Sequence, residues 1–170
     1  MSINLIVATD QKYGIGRENA LPWPRNKRDM EWFRQATMGH VVVMGRRTWE
    51  SIGSKPLPGR INGVISSKPV DGAHGSYGGD LDKILPMIQD RYPDLHIFVI
   101  GGADIYKQSI SVADKLFLTT FPRTYDCDTY IERDLIVKFP LIKYWEEDAE
   151  LTFQIRTKNG AVSRGAGTRT

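Results

Sequence analysis

The chain has 170 residues, of which 41% are hydrophobic and 25% charged, and carries a formal net charge of +3 at pH 7. That length suits one domain with a sizeable core, and the mild basic excess suits an anionic small ligand rather than the dense cationic footprint of a nucleic-acid binder. Cys127 is the only cysteine, so no intrachain disulfide can form and no metal-ligand cluster is expected. No run approaches the length of a membrane span, and the opening MSINLIVATD lacks the regions of a signal peptide. The expectation is a soluble, cytoplasmic monomer with no membrane or nucleic-acid partner.

Ile3 to Thr9 is an apolar, branched run that reads as a buried strand. Asp10 to Trp23 follows as a long irregular connection containing Gly14, Gly16, Asn19 and Pro22, a length often used for lids. Leu21 to Pro24 is a stiff apolar entry to a helix running from about Asn26 to Thr37 and ending near Gly39. Trp32 and Phe33 stand three and four positions beyond Asp29, so one side of this helix can set a carboxylate against aromatic rings. Away from water, such a carboxylate has a raised pKa and can hold or pass a proton near neutral pH. Asn26-x-x-Asp29 is also a variant capping box, and both roles stay open on this stretch alone.

His40 to Met44 reads as a second strand and runs into GRRTWESIG, which brings cations and backbone amides to a helix N-terminus suited to phosphate. Lys55 to Arg60 is a proline-rich turn, Asn62 to Ser67 a third strand, and Tyr77 part of a short one. Asp80 caps a helix to about Tyr92 with Leu81, Ile84, Leu85 and Ile88 on one face. His96 to Ile100 is a strand that meets Gly101-Gly102-Ala103 and a helix carrying Ile105 and Tyr106. Asp114 to Phe121 and Glu150 to Thr157 complete the strands. Residues 158–170, rich in Gly, Ser, Thr and Arg, are expected to form a flexible basic tail after a single domain over residues 1–157. Strands alternating with helices predict an α/β fold around a mixed, mostly parallel sheet. Both glycine features follow apolar strands, where such sheets bind ligands, although the G-x-G-x-x-G fingerprint is absent.

In order and spacing, IVATDQKYGIGRENALPW, RDMEWF, VVVMGRRTWESIG, PLPGR with NGVISSKP, VIGGADIY and LFLTTFPRTYDCDTYI resemble dihydrofolate reductases, from about residue 3 to 131. The resemblance implies the fold of that family with flanking helices. It also implies an NADPH-dependent reduction of 7,8-dihydrofolate that supports one-carbon and thymidylate metabolism. Hydride would pass from nicotinamide C4 to pterin C6 with N5 protonated through a water gated by the Gly14 to Leu21 loop.

Asp29 then matches the family's active-site carboxylate, with Leu21, Trp23, Thr119 and Tyr106 as its catalytic company; Thr119 matches a threonine that hydrogen-bonds the carboxylate. Ile6, Val7, Met30, Phe33, Ile52, Leu57 and Ile100 match substrate-lining positions, and Arg60 the arginine for the folate α-carboxylate. Cofactor positions fall on Val7, Ala8, Ile15, Gly16, Asn19 and Ala20, on Gly45, Arg46, Arg47 and Thr48, and on Ser66, Ser67 and Lys68. The remaining ones are Ile100, Gly101, Gly102, Ala103, Asp104, Ile105 and Tyr106, with the two glycines joined by a cis bond in the family.

Three departures stand out. Asp104 replaces an arginine found in some bacterial members, which leaves NADPH preference to Arg46, Arg47, Ser67 and Lys68. Cys127 replaces a glycine beside the retained Asp128, and the C-terminal hairpin is expected to be shortened. Competing readings are a same-fold pyrimidine reductase of flavin biosynthesis, which would not need the Pro-Trp…Asp…Phe constellation, and a folate-binding homologue without turnover.

Overall fold

The computed structural model describes residues 1–158; the expected tail, apart from Lys158, lies outside them. Runs of branched residues make strands because their χ1 freedom is already restricted and they pack well on a pleated surface. In chain order the elements are β1 (Ile3–Thr9), β2 (Gly14–Gly16), α1 (Lys27–Thr37), β3 (Val41–Gly45), α2 (Arg46–Ser51), β4 (Ile61–Ile65) and β5 (Gly75–Tyr77). They continue with α3 (Leu81–Arg91), β6 (Ile97–Val99), α4 (Ala103–Ser109), β7 (Lys115–Thr120), β8 (Thr129–Tyr130), α5 (Arg133–Val137), β9 (Leu141–Asp148) and β10 (Leu151–Thr157).

Eight strands form one sheet in the order β5-β4-β3-β6-β1-β7-β10-β9. All neighbours from β5 to β7 pair in parallel, and β10 lies antiparallel to both β7 and β9. Alternation along the strands then separates two cores. Leu5, Val7, Val41, Val43, Ile97 and Val99 face one way, toward Leu81, Leu85 and Ile88 of α3 and Tyr106 of α4. Ile6, Val42, Met44 and Phe98 face the other way, toward Trp32 and Phe33 of α1 and Trp49 of α2. The result is a layer of helices on each side of the sheet.

Three elements differ from the sequence reading. The C-terminal hairpin has strands of eight and seven residues joined at Ala149 and Glu150, both at positive φ. Its first strand escapes detection because most of its side chains are exposed and because Ala-Glu lacks the Asn-Gly signal of such a turn. Lys158, assigned to the tail, is held to the domain by hydrogen bonds from Nζ to the carbonyls of Ile110 and Ser111. Asp80 begins α3 without a side-chain capping bond. Among the described residues no helix is long and apolar enough to cross a membrane.

Candidate active site

The cap of α1 decides what Asp29 is free to do. Asn26 is the N-cap, its Oδ1 accepting the Asp29 backbone N–H at 2.9 Å. The Asp29 carboxylate accepts no hydrogen bond among the described residues, so the reciprocal half of a capping box is not made. Burial alone pushes its pKa up to about 6. Just beyond it on the helix, Trp32 packs 4.9 Å from Phe153 and 6.2 Å from Phe117, ring centre to ring centre. Phe33 joins Ile6, Ile52, Leu57 and Ile100 in one apolar cluster. Five of the substrate-lining residues predicted from sequence therefore converge beside α1.

Trp23 is buried, stacked on Phe121 at 4.1 Å and edge-on to Tyr125 at 5.8 Å. Its indole N–H is buried with no partner among the described residues, a donor in need of a water or ligand acceptor. Thr119 is buried on β7 between Ala8 and Phe153; its hydroxyl makes no direct bond to Asp29 among the described residues, so the bond implied by the resemblance is not formed here.

At the far end of the cluster, Arg60 donates from Nε to the Pro58 carbonyl at 3.0 Å and from Nη1 to the buried Thr37 hydroxyl at 3.1 Å. Burial, followed by repulsion from Arg34, lowers its pKa, which marks a guanidinium with no carboxylate opposite it. It borders a groove of about 340 Å³ lined by Pro56, Leu57, Gly59 and His74.

The carboxyl ends of β3, β4 and β6 build a second region. The Gly45 N–H donates to the Gly101 carbonyl at 2.8 Å, and a side chain on Gly45 would meet Ile105 at 2.9 Å, so only glycine allows this approach. The Gly101-Gly102 peptide is cis. Arg46 and Arg47 are exposed at the start of α2, Thr48 sits across from Gly102, and the Ser66 hydroxyl accepts the Lys68 N–H at 3.2 Å. Ser67 and Lys68 are exposed. Asp104 lies in the first turn of α4 and accepts from the Gln108 side chain at 2.6 Å.

A loop bridges the two regions. Asn19 donates to the Arg47 carbonyl at 3.0 Å, Arg17 and Ala20 exchange backbone bonds, and Gly16 pairs with Thr129. Asp128 braces the loop by accepting the Glu18 N–H at 2.8 Å. Sequence reasoning missed the anchor of this loop, Asp10. It is buried and accepts from the N–H groups of Lys12, Gly14 and Tyr125 at 2.8, 2.9 and 2.9 Å. Burial acts to raise its pKa, and those three bonds more than offset it, leaving the pKa lowered. Cys127 lies against it at 3.6 Å, its thiol pushed up to about 11 by burial and then by Asp10.

Not every predicted residue joins the cleft. Leu21 and Met30 are 58% and 40% exposed and belong to no packed wall. Val7 and Tyr106 point to the opposite face of the sheet, where Ile15 and Ile105 also pack. The Tyr106 hydroxyl donates to the Ile6 carbonyl at 2.7 Å, and burial raises its pKa, so it fixes backbone and has no free proton to offer. Its reach across the sheet would have been visible only from β1 alternation.

The layout is that of an α/β protein whose cleft opens at the carboxyl ends of parallel strands. A family profile described as dihydrofolate reductase matches residues 2–159. A dihydrofolate reductase of Haemophilus influenzae is 37% identical over 147 residues, covering 86% of this chain and 83% of that one. A type 3 dihydrofolate reductase of Salmonella typhimurium is 39% identical over 131 residues (76% and 78%), and a viral dihydrofolate reductase of Saimiriine herpesvirus 2 is 36% identical over 160 residues (84% and 74%). The chain belongs to the dihydrofolate reductase family.

Proposed function

We propose that this protein reduces 7,8-dihydrofolate to 5,6,7,8-tetrahydrofolate with NADPH, as a soluble cytoplasmic monomer. The observation that carries the reading is the Asp29 carboxylate, half-buried beside the apolar cluster of Phe33 and Ile6, without a hydrogen bond among the described residues and with its pKa pushed up to about 6. Its two oxygens suit the paired N–H donors of a pterin's amino group and adjacent ring nitrogen. Ile6, Phe33, Ile52, Leu57 and Ile100 offer apolar surface to the ring system and benzoyl group, and Arg60 suits the glutamate α-carboxylate at the outer end.

The second region fits an extended phosphate-bearing cofactor. Gly45 and Gly101 bring bare main chain together at the strand ends, and Arg46, Arg47, Thr48, Ser66, Ser67 and Lys68 would hold phosphates and ribose. Asp104 takes no part in holding phosphate, because its carboxylate repels one. When bound, NADPH supplies the hydride for pterin C6. The protein's own residues orient and exclude water. The loop over residues 14–21, tied by Asn19 to the start of α2, covers the junction of the two ligands. The Trp23 N–H, without a partner among the described residues, and the Asp29 carboxylate would hold a water that carries a proton toward N5.

The test is the absorbance decrease at the NADPH band when dihydrofolate is added to the purified protein. Consumption that needs both compounds and is lost in Asp29→Asn supports the reading. Dihydrofolate binding without consumption would leave a folate-binding homologue in its place.

A further inference from the structure

Arg28 directly precedes Asp29 on α1, and its guanidinium is held on three sides. Nε donates to Asp148 Oδ2 at 2.7 Å and Nη2 to Glu146 Oε1 at 2.9 Å. Cζ lies 4.6 Å from the centre of the Phe153 ring. The two acids stand two residues apart on β9, hence on one face of that strand, and Phe153 lies on β10. The Tyr144 hydroxyl, on the same face, donates to Glu146 Oε1 at 3.1 Å, and its ring stacks 5.9 Å from Trp32 one turn further along α1. The hairpin therefore grips α1 at two successive turns. A planar fork met by two carboxylates fixes the rotation of a helix as well as its position.

We propose that Arg28 is a positioning residue for Asp29: Glu146 and Asp148 lock it so that the C-terminal hairpin aims the acid and keeps the adjacent cation away from it. Consecutive residues diverge by about 100° around a helix, so Arg28 reaches Asp29 only by releasing the hairpin. The surroundings of Asp29 agree. Lys27, Glu31 and Arg34 on the same helix are exposed, and the strands beneath α1 present Ile6, Ala8, Phe117 and Phe153. On β9, Glu146 and Asp148 are committed to Arg28, while Glu147 alternates to the other face, and both it and Lys143 are exposed. With a cation one residue away, Asp29 nonetheless responds to burial alone.

The role of Asp29 rests on the proposed reductase function, so the test has one arm that needs no activity. Asp29 is followed by carbon-detected NMR titration of its carboxyl in the ligand-free protein, and kcat/KM for dihydrofolate is measured against pH. Two variants perturb the lock in opposite senses. The double variant Glu146→Gln with Asp148→Asn frees a cation beside Asp29, and its midpoint is expected to fall by roughly half to one unit, from the Coulomb energy of a nearby, partly screened charge. Arg28→Ala leaves two uncompensated acids, so the midpoint is expected to rise or hold while kcat/KM drops about tenfold through lost aim, of the order that small misplacements cause. Thermal unfolding verifies that each variant is folded. A midpoint that falls in the double variant and does not fall in Arg28→Ala, with kcat/KM lowered in the latter, supports the proposal. An Asp29 midpoint that stays put in the double variant, or a kcat/KM unchanged in Arg28→Ala, overturns it, whatever the melting temperatures do. If the wild-type protein does not reduce dihydrofolate, the functional reading falls, while the titration still decides whether Arg28 is kept from Asp29.

Discussion

Replacing Asp29 by asparagine removes a charge that the folded protein holds at an energetic disadvantage. The carboxyl goes from an ordinary value of 3.8 to about 6 on folding because burial disfavours its charged form. The native state therefore binds more protons than the unfolded chain between about pH 4 and pH 6, and stability falls as pH rises through that window. Above it the penalty is full. A shift of about 2 units corresponds to about 3 kcal/mol at about 1.4 kcal/mol per unit. Residual exposure of the side chain, and an asparagine amide left without partners, take back about 1–2 kcal/mol. Asp29→Asn is thus expected to be more stable than the wild type by about 1–2 kcal/mol at pH 8, or about 3–6 °C in Tm for a chain of this size. At pH 4, where the folded carboxyl is protonated and only the amide cost remains, the advantage should vanish and the variant should be equal to the wild type or less stable by about 1 kcal/mol. Urea unfolding of the ligand-free proteins from pH 4 to 8 measures this directly, with turnover assayed in parallel. A variant equally stable or less stable at pH 8, or a difference that does not change with pH, would refute the reasoning that the site carries an uncompensated charge.

Other perturbations have equally defined outcomes. Arg60→Leu should raise the KM for dihydrofolate by about 10–100-fold, the worth of a charge-assisted pair, while leaving a pteridine substrate without the glutamate unaffected; steady-state kinetics with both substrates checks it. Gly14→Ala drives a Cβ into the Cys127 side chain and should destabilise the protein by about 1–3 kcal/mol. Adding Cys127→Ala should recover much of that loss, so a double-mutant cycle in thermal unfolding should give a coupling of about 1 kcal/mol or more. Tyr106→Phe removes the donor to the Ile6 carbonyl and should cost about 1–2 kcal/mol of stability, read by chemical denaturation; a loss of the hydride-transfer rate of more than 100-fold without that destabilisation would mean that the phenol acts in the reaction.

The central strands were readable because β1, β3 and β7 are runs of branched and apolar residues, and α1 because Asn26 caps a segment with aromatic residues at helical spacing. Asp29 stood out through Trp32 and Phe33, and the resemblance to the family supplied Arg60 and Thr119. What escaped depends on partners distant in sequence or on exposed surface. Asp10 gains its role from a backbone N–H at Tyr125, 115 residues away, and Arg28 from Glu146 and Asp148, 118 and 120 away. The first strand of the hairpin mixes charged and aromatic residues at a sheet edge, where no burial imposes alternation, and β8 is only two residues long. Expectations for Leu21 and Met30 came from family positions alone, and residue type cannot show that both side chains are exposed.

The place of β1 in the sheet order bears on how the molecule is assembled. It is synthesised well before either neighbour, since its ladders begin at Ile97 and Lys115, roughly 95 and 110 residues later, and pairings so remote in sequence slow folding. The hairpin that grips α1 is made later still. A nascent chain must therefore carry the helix bearing Asp29 without its anchor until β9 and β10 are available, and the surroundings of that helix are completed by residues far from it in time of synthesis.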